Sequence, residues 1–440
     1  MTETSAGSHK HLVRGIGFSG LAILVLNSMI GAGIFALPAA VSARAGVLSP
    51  WLFLAVGLLI ITVVLTFAEL SSYFKSSGGP VLFTTTAFGP LAGFATGWVL
   101  FVSRMAAFAA NTTVMAVYLG AVWPWFSEGI GRTLLIVVVT FTLTYANYAG
   151  VKEGVRTMTV ITFFKLTPIL LLIVLGLQHV SGDVLFPATM PTIDDLGGTT
   201  LLLIYAFVGF EAATVVSGES KNAKRTVPRA LVRTVILTGV LYFLIVLTYI
   251  SVIPDAGASG ATLIDVGREL MGPTGTILIT LAAFFSIGGN LSSIILAVPR
   301  MTFALAKERL LPKWFGKIHD RYSTPSNSIL FLGGLSLAFA LTGTFEYLAA
   351  ASSLTRLIGY VLCIAALPVI RNRATAEEKA DAYRLKGGYL IPAAGMILCL
   401  WIGAQSGAQS WKVTGALLAA GLVLYAVAAK RRASWQAQAD

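Results

Sequence analysis

The chain has 440 residues, of which 56% are hydrophobic and 11% charged, and its formal net charge is +12. Soluble proteins carry about twice that share of charged residues, so the composition excludes a soluble enzyme and predicts an all-α membrane protein. The basic balance does not indicate nucleic acid binding. Most of the 31 lysines and arginines fall in segments that alternating crossings place on one face of the membrane.

Twelve apolar stretches are each long enough to cross a bilayer. They are residues 17–44, 48–72, 89–122, 132–149, 154–178, 199–220, 230–253, 274–304, 326–343, 346–370, 388–405 and 411–429. Residues 1–16 and 431–440 are polar tails, and loop 254–273 is predicted to contain a short helix. The positive-inside rule puts both termini in the cytoplasm and the protein in the cytoplasmic (inner or plasma) membrane.

The first span contains Gly31-Ala32-Gly33 at mid-depth. Glycine weakens a helix interior and lets the backbone approach a neighbour closely. Backbone without helical hydrogen bonds at membrane depth is costly unless it is buried in protein or contacts a polar ligand. The motif therefore predicts either a tight helix crossing or a helix broken to hold a polar ligand.

The sixth span, residues 199–220, repeats this feature: Gly209 lies near its middle and Glu211 follows two residues later. Two interrupted spans at matching places in two halves are typical of a secondary transporter's binding site. Five spans, an odd number, precede the second break. If spans 1–5 (17–178) and spans 6–10 (199–370) are repeats, the second repeat must therefore be inverted relative to the first. Spans 11 and 12 (388–430) are then additions.

Three stretches resemble the amino acid–polyamine–organocation transporter superfamily: Asn27–Phe35, Phe207–Ala230 and Ala304–Pro325. The resemblance implies the five-plus-five inverted-repeat fold of the leucine-transporter type. The chain departs from the usual pattern at Ala223, where proline is common, and at Arg309, where glycine is common.

The breaks suggest how an amino acid would bind. Freed N–H groups at the start of the second half-helix suit a carboxylate, and carbonyls that end the first half-helices suit an ammonium group. The resemblance puts ligands at the same positions, which are Ser28, Ile30, Ala32, Gly33, Phe207, Val208 and Gly209. The hydroxyl of Ser28 has an equal alternative, a bond to its own helix.

Lys165 lies inside span 5, where an ammonium group is expensive and by default functional. The alternative is snorkelling to the interface, which would need a long reach. In sodium-independent relatives, a lysine at this place resembles a built-in substitute for a sodium ion that ties span 5 to spans 1 and 8. Ser286 is the expected partner in span 8, and Lys165 could also carry a coupling proton.

Other polar and aromatic residues of the spans have two interpretations each. Glu211 is a candidate proton site or cation contact, and Arg104 resembles an arginine of the exchangers that handle cystine, yet the two could simply pair with each other. For Arg356, a salt bridge is favoured over substrate contact. Tyr205 and Phe207 could gate the site or pack in the core. Asn290 is a further substrate-binding candidate, at a position where arginine/agmatine-type exchangers carry tryptophan.

The sequence predicts a sodium-independent amino acid permease, proton-coupled or exchanging, with neutral L-amino acids as lead substrates. Anionic, cystine-like or cationic amino acids or polyamines are the alternatives. A channel would need a repeated polar pore face, and a membrane enzyme would need clustered catalytic groups. The sequence pattern favours neither class. The expected partners are the substrate, the bilayer and, if transport is proton-coupled, a proton. No nucleic acid, cofactor or metal is expected, and the protein is expected to be a monomer or homodimer.

Overall fold

The computed structural model describes residues 16–74, 78–150, 155–185, 196–217 and 220–436. The tail up to residue 15, the last four residues, and residues 154 and 218–219 of the fifth and sixth predicted spans lie outside it. The described chain is helical throughout, and its one β-type contact is an isolated bridge between Ile16 and Ser220.

Eighteen α-helices can be defined in the described residues. They are α1 (Phe18–Met29), α2 (Gly33–Ala45), α3 (Ser49–Ser72), α4 (Gly79–Phe88), α5 (Pro90–Gly120), α6 (Gly129–Tyr148), α7 (Val155–Gly176), α8 (Gly182–Leu185), α9 (Leu196–Phe207), α10 (Ala212–Val215), α11 (Ala223–Val252), α12 (Ala256–Ser259), α13 (Leu263–Lys307), α14 (Ser326–Thr342), α15 (Phe345–Arg373), α16 (Ala376–Asp381), α17 (Leu390–Ala404) and α18 (Ala408–Gln436).

Helices lie at all twelve predicted spans, with a few differences. Helix α11 begins at Ala223 rather than at residue 230, and α4 occupies a stretch that the sequence pattern had left between two spans. The short helix expected in loop 254–273 is present as α12. Helix α13 starts in that same loop and kinks at Gly272, whose φ of 62° is incompatible with a continuous helix.

Eight helical stretches of the described chain are long and apolar enough to cross a membrane, judged by length and composition. One of them joins α2 and α3 across a short 3₁₀ turn. Four shorter apolar helices (α1, α9, α14 and α17) accompany them. Helices α1 and α9 are short because each is half of an interrupted span, so twelve crossings remain the prediction.

Helix α5 lies at the centre of the bundle and packs against α4, α13, α14 and α15. In the most hydrophobic segment of α5, 78% of the residues are buried, whereas 17% are buried in the corresponding segments of α6 and α18. The exposed side chains of the outer helices are themselves apolar, as at Ile130, Phe141 and Val423. A surface of this kind suits lipid rather than water.

A buried ion pair joins the end of α3 to the end of α15. The Arg371 guanidinium donates to both carboxylate oxygens of Glu69, each at 2.7 Å, and stacks over the ring of Tyr389 with 4.6 Å from Cζ to the ring centroid. The same carboxylate accepts the Leu385 N–H at 3.0 Å, and Arg371 donates to the Gly388 carbonyl. One carboxylate therefore holds two helix ends and the segment that follows α16.

We expect Glu69→Gln to destabilise the protein by about 3–5 kcal/mol, because Arg371 would keep its charge without a counter-charge. The control is Asp381→Asn, which breaks the exposed pair with Lys224 and is expected to change stability by less than about 1 kcal/mol. The measurement is the thermal unfolding of both variants in detergent. Equal shifts would show that the buried pair is no more important than the exposed one.

Candidate functional site

Both interruptions predicted from the glycines are present. Helix α1 ends at Met29 and α2 begins at Gly33, while α9 ends at Phe207 and α10 begins at Ala212. In the first break, Ile30 takes an extended conformation with φ −81° and ψ 92°. The helix is therefore interrupted at the Gly31-Ala32-Gly33 motif.

The two breaks touch each other at Gly209. Its φ of 113° favours glycine, and a Cβ built there would lie 2.3 Å from the carbonyl oxygen of Ser28. No side chain fits between the two backbones. Gly209 therefore allows the second break to lie directly on the last turn of α1.

Two side chains from other helices donate to the carbonyls of the first break. The Nζ of Lys165, on α7, lies 3.2 Å from the carbonyl oxygen of Ile30. The hydroxyl of Ser286, on α13, donates to the same oxygen at 3.0 Å and to the Gly31 carbonyl at 3.2 Å. Lys165 is fully buried, and within the described chain it forms no ion pair with a carboxylate. Lys165 and Ser286 thus meet at one backbone carbonyl.

The side-chain amides of Asn111 and Asn290 form hydrogen bonds with further backbone groups at this break. Asn111 on α5 accepts the Ala32 N–H at 2.9 Å and donates to the side-chain oxygen of Asn290 at 2.8 Å. The Nδ2 of Asn290 donates to the carbonyls of Asn27 at 3.2 Å and Ser28 at 3.0 Å. The Ala32 N–H, which we expected to be free, is therefore already bonded, because a buried donor must find an acceptor inside the protein.

Glu211 is the centre of a buried ionic cluster. Its carboxylate accepts from Arg104 at 3.0 Å, from Arg356, from the Tyr360 hydroxyl at 3.0 Å and from the Gly209 N–H at 3.1 Å. The pairing of Arg104 with Glu211, which was raised as an alternative, and the salt bridge favoured for Arg356 are both present. Two guanidinium groups share one carboxylate, so the cluster has an excess of one positive charge.

The guanidinium group of Arg356 is only partly hydrogen-bonded. Its Nε donates to the Ser103 hydroxyl at 2.9 Å and its Nη1 to Glu211, whereas Nη2 is buried and has no hydrogen-bond partner among the described residues. A buried guanidinium nitrogen without an acceptor is costly. The Arg356 side chain also lines the cavity where the two breaks meet, and a ligand there could supply that acceptor.

A cavity of about 20 Å³ lies where the two breaks meet. Of the predicted residues, seven line it: Ser28, Ala32, Gly33, Arg104, Tyr205, Val208 and Asn290. It is also lined by Met29, Gly31, Ala107, Asn111 and Arg356. Six predicted residues are not part of the lining: Ile30, Lys165, Phe207, Gly209, Glu211 and Ser286.

The two aromatic candidates differ in their surroundings. The Tyr205 hydroxyl donates to Asn111 at 3.2 Å within the cavity wall. Phe207 is fully buried, with its ring 5.3 Å from that of Tyr242 and in close contact with Gly57. The Phe207 side chain therefore has the surroundings of a packing residue, and Tyr205 is the aromatic side chain in contact with the cavity.

Asn111 and Tyr360 were missed by sequence reasoning, although helical spacing held a signal for each. Asn111 follows Arg104 by seven residues and Tyr360 follows Arg356 by four, so each lies on the same helix face as an arginine that was recognised. Both face the breaks through tertiary contacts, which a single sequence does not specify.

We expect Gly209→Ala to abolish transport and to lower thermal stability, because the new methyl group would clash with the Ser28 carbonyl. Gly288→Ala is the matched control, since a Cβ there meets no atom within 4 Å and the helix favours alanine. The measurements are ligand uptake in proteoliposomes and unfolding temperature. Similar behaviour of the two variants would argue against close contact of the breaks.

Sequence comparisons agree with this architecture. The amino acid permease family matches over residues 16–429. The serine/threonine exchanger SteT of Bacillus subtilis is 29% identical over 84% of this chain and 86% of its own length. An uncharacterised transporter of Mycobacterium tuberculosis is 27% identical over 94% of this chain and 91% of its own. The chain therefore belongs to the amino acid permease family of membrane transporters.

Proposed function

We propose that this permease carries small neutral L-amino acids across the cytoplasmic membrane by alternating access, without sodium. The observation that carries the proposal is the contact of two interrupted helices around one small, polar cavity. Backbone of this kind at membrane depth is tolerated where it lines a cavity or is buried in protein. In this proposal the chain crosses the bilayer twelve times, in a five-plus-five inverted repeat with two added helices and cytoplasmic termini.

The two charged groups of an amino acid have complementary positions at the break. The carboxylate would bind at the start of α2, near the N–H groups of Ala32 and Gly33, where the helix dipole favours an anion. The ammonium group would bind carbonyls near the ends of α1 and α9 that face the cavity, at Ser28 and Val208. These backbone groups would select the zwitterion and leave the side chain of the substrate to the cavity wall.

The serine/threonine exchanger among the relatives makes serine and threonine the lead substrates. The cavity at the breaks, of about 20 Å³, has room for about one water molecule, so it must widen before an amino acid can bind. Polyamines and cystine-sized substrates would require a larger widening.

One observation favours a second candidate class, amino acids with an acidic side chain. The Arg104–Glu211–Arg356 cluster has an excess positive charge, and the Nη2 of Arg356 has no partner among the described residues. A side-chain carboxylate would neutralise that charge and accept that hydrogen bond. A cationic side chain would instead need a carboxylate partner, and Glu211 already pairs with two arginines.

We expect a screen of the twenty L-amino acids on purified protein to give the largest rise in unfolding temperature with serine or threonine. Ligands that bind only the folded state raise its apparent stability. A larger rise with aspartate or glutamate would select the acidic class. No rise with any amino acid, at concentrations up to about 10 mM, would contradict the proposed function.

Lys165 supports the sodium-independent mechanism. Its ammonium group donates to the Ile30 carbonyl from α7, and Ser286 donates to the same oxygen from α13. A positive charge is thus fixed against the carbonyl end of α1, where a bound cation would otherwise be needed. The coupling is exchange or proton symport, with Lys165 as the candidate proton site, because two arginines stabilise the ionised form of Glu211.

Uptake in proteoliposomes should not change when sodium is replaced by choline, and Lys165→Ala should abolish it. Ser286→Ala removes one of the two donors but keeps the charge, so a smaller loss of rate is expected. Undiminished uptake by Lys165→Ala would exclude the role of the ammonium group. Strict dependence of the wild type on sodium would exclude the mechanism.

A further inference from the structure

We infer that Asn111 and Asn290 together act as an internal ligand of the empty site, holding the backbone groups that an amino acid takes over when it binds. The inference rests on the proposed function, because it assigns the same break to the substrate. It adds two residues that control the empty carrier, one on α5 and the other on α13.

The pair offers the break both kinds of partner that a zwitterion offers. The oxygen of Asn111 accepts the Ala32 N–H at 2.9 Å, as a carboxylate would. The nitrogen of Asn290 donates to the Asn27 and Ser28 carbonyls at 3.2 and 3.0 Å, as an ammonium group would. The remaining donor of Asn111 and acceptor of Asn290 bond each other at 2.8 Å.

The position of the pair allows exchange with a ligand. Asn111 and Asn290 are 2% and 5% exposed, and both line the cavity. They pack over the glycine of the break, because a Cβ built on Gly31 would lie 3.0 Å from the Asn290 carboxamide carbon and 3.2 Å from the Asn111 oxygen. Neither residue belongs to the broken helix, so both could withdraw without unfolding it.

The energetic reason is the cost of unpaired backbone groups in a buried site. Each buried N–H or carbonyl without a partner destabilises the protein. The amides remove that cost when the site is empty. A charged carboxylate and ammonium group form stronger hydrogen bonds than neutral amides do, so a substrate can displace them.

A consequence for transport follows. A carrier whose break is satisfied without substrate can close and reorient while empty, which net transport requires. A carrier without this internal ligand would close well only when loaded, and it would favour exchange. The asparagine pair would therefore set the ratio of net uptake to exchange.

The test is Asn111→Leu, which keeps the approximate size of the side chain and removes its hydrogen bonds. Binding of radiolabelled L-serine is measured with the purified protein, together with the unfolding temperature in the absence of serine. The control is Thr113→Val on the same helix, since the buried Thr113 hydroxyl bonds its own helix and does not line the cavity.

We expect Asn111→Leu to lower the unfolding temperature without serine and to decrease the Kd for serine about 2-fold to 10-fold, since one competing hydrogen bond is lost. In proteoliposomes, uptake into serine-free vesicles should fall relative to uptake into serine-loaded vesicles. Thr113→Val should keep the wild-type Kd and the wild-type uptake ratio.

Three results would overturn the inference. A higher Kd would make Asn111 a direct substrate ligand, and an unchanged Kd with lower stability would make it a structural residue only. If the wild type neither binds nor exchanges serine, serine is not a substrate and the inference falls with that assignment. The first two results leave the proposed function intact, because the wild type would still bind and exchange serine.

Discussion

The structure depends on one constraint: a helix that is interrupted inside a membrane must find partners for its exposed backbone. The carbonyls of residues 27, 28, 30 and 31 accept from Lys165, Ser286 and Asn290, and the Ala32 N–H is bonded by Asn111. These side chains come from α5, α7 and α13. Because these groups are buried, the hydrogen bonds are strong and their loss is costly. The break is therefore also the point at which three other helices are attached.

Charge is distributed around the same point. Glu211 lies just after the second break and pairs with arginines from α5 and α15, while Lys165 approaches the first break from α7. Desolvated charges of this kind are poor stabilisers compared with apolar packing of similar volume. Their position beside the cavity is typical of a site that binds and releases a charged ligand.

Much of the fold could be predicted because the bilayer imposes a simple rule of length and hydropathy. Glycines in the middle of two spans indicated the breaks, and a lysine and two arginines at membrane depth were visible as exceptions to an apolar pattern. Helix α4 was not predicted, since ten residues are too few to cross. The role of Asn111 could not be predicted either, because its partners depend on how α5 is rotated against α2 and α13. The buried pair Glu69–Arg371 joins positions about 300 residues apart, which one sequence does not connect.

That ion pair has a mechanical consequence. A doubly hydrogen-bonded carboxylate and guanidinium resist separation but permit small rotations, so they form a pivot between the ends of α3 and α15. Helix α3 has 24 residues and is about 36 Å long. Ser49 lies about 30 Å from Glu69 along the helix, so a tilt of about 10° around the pivot would displace it by about 5 Å. In a rocking carrier, α3 would then behave as a lever with its fulcrum at Glu69, and the largest excursions would occur near Ser49.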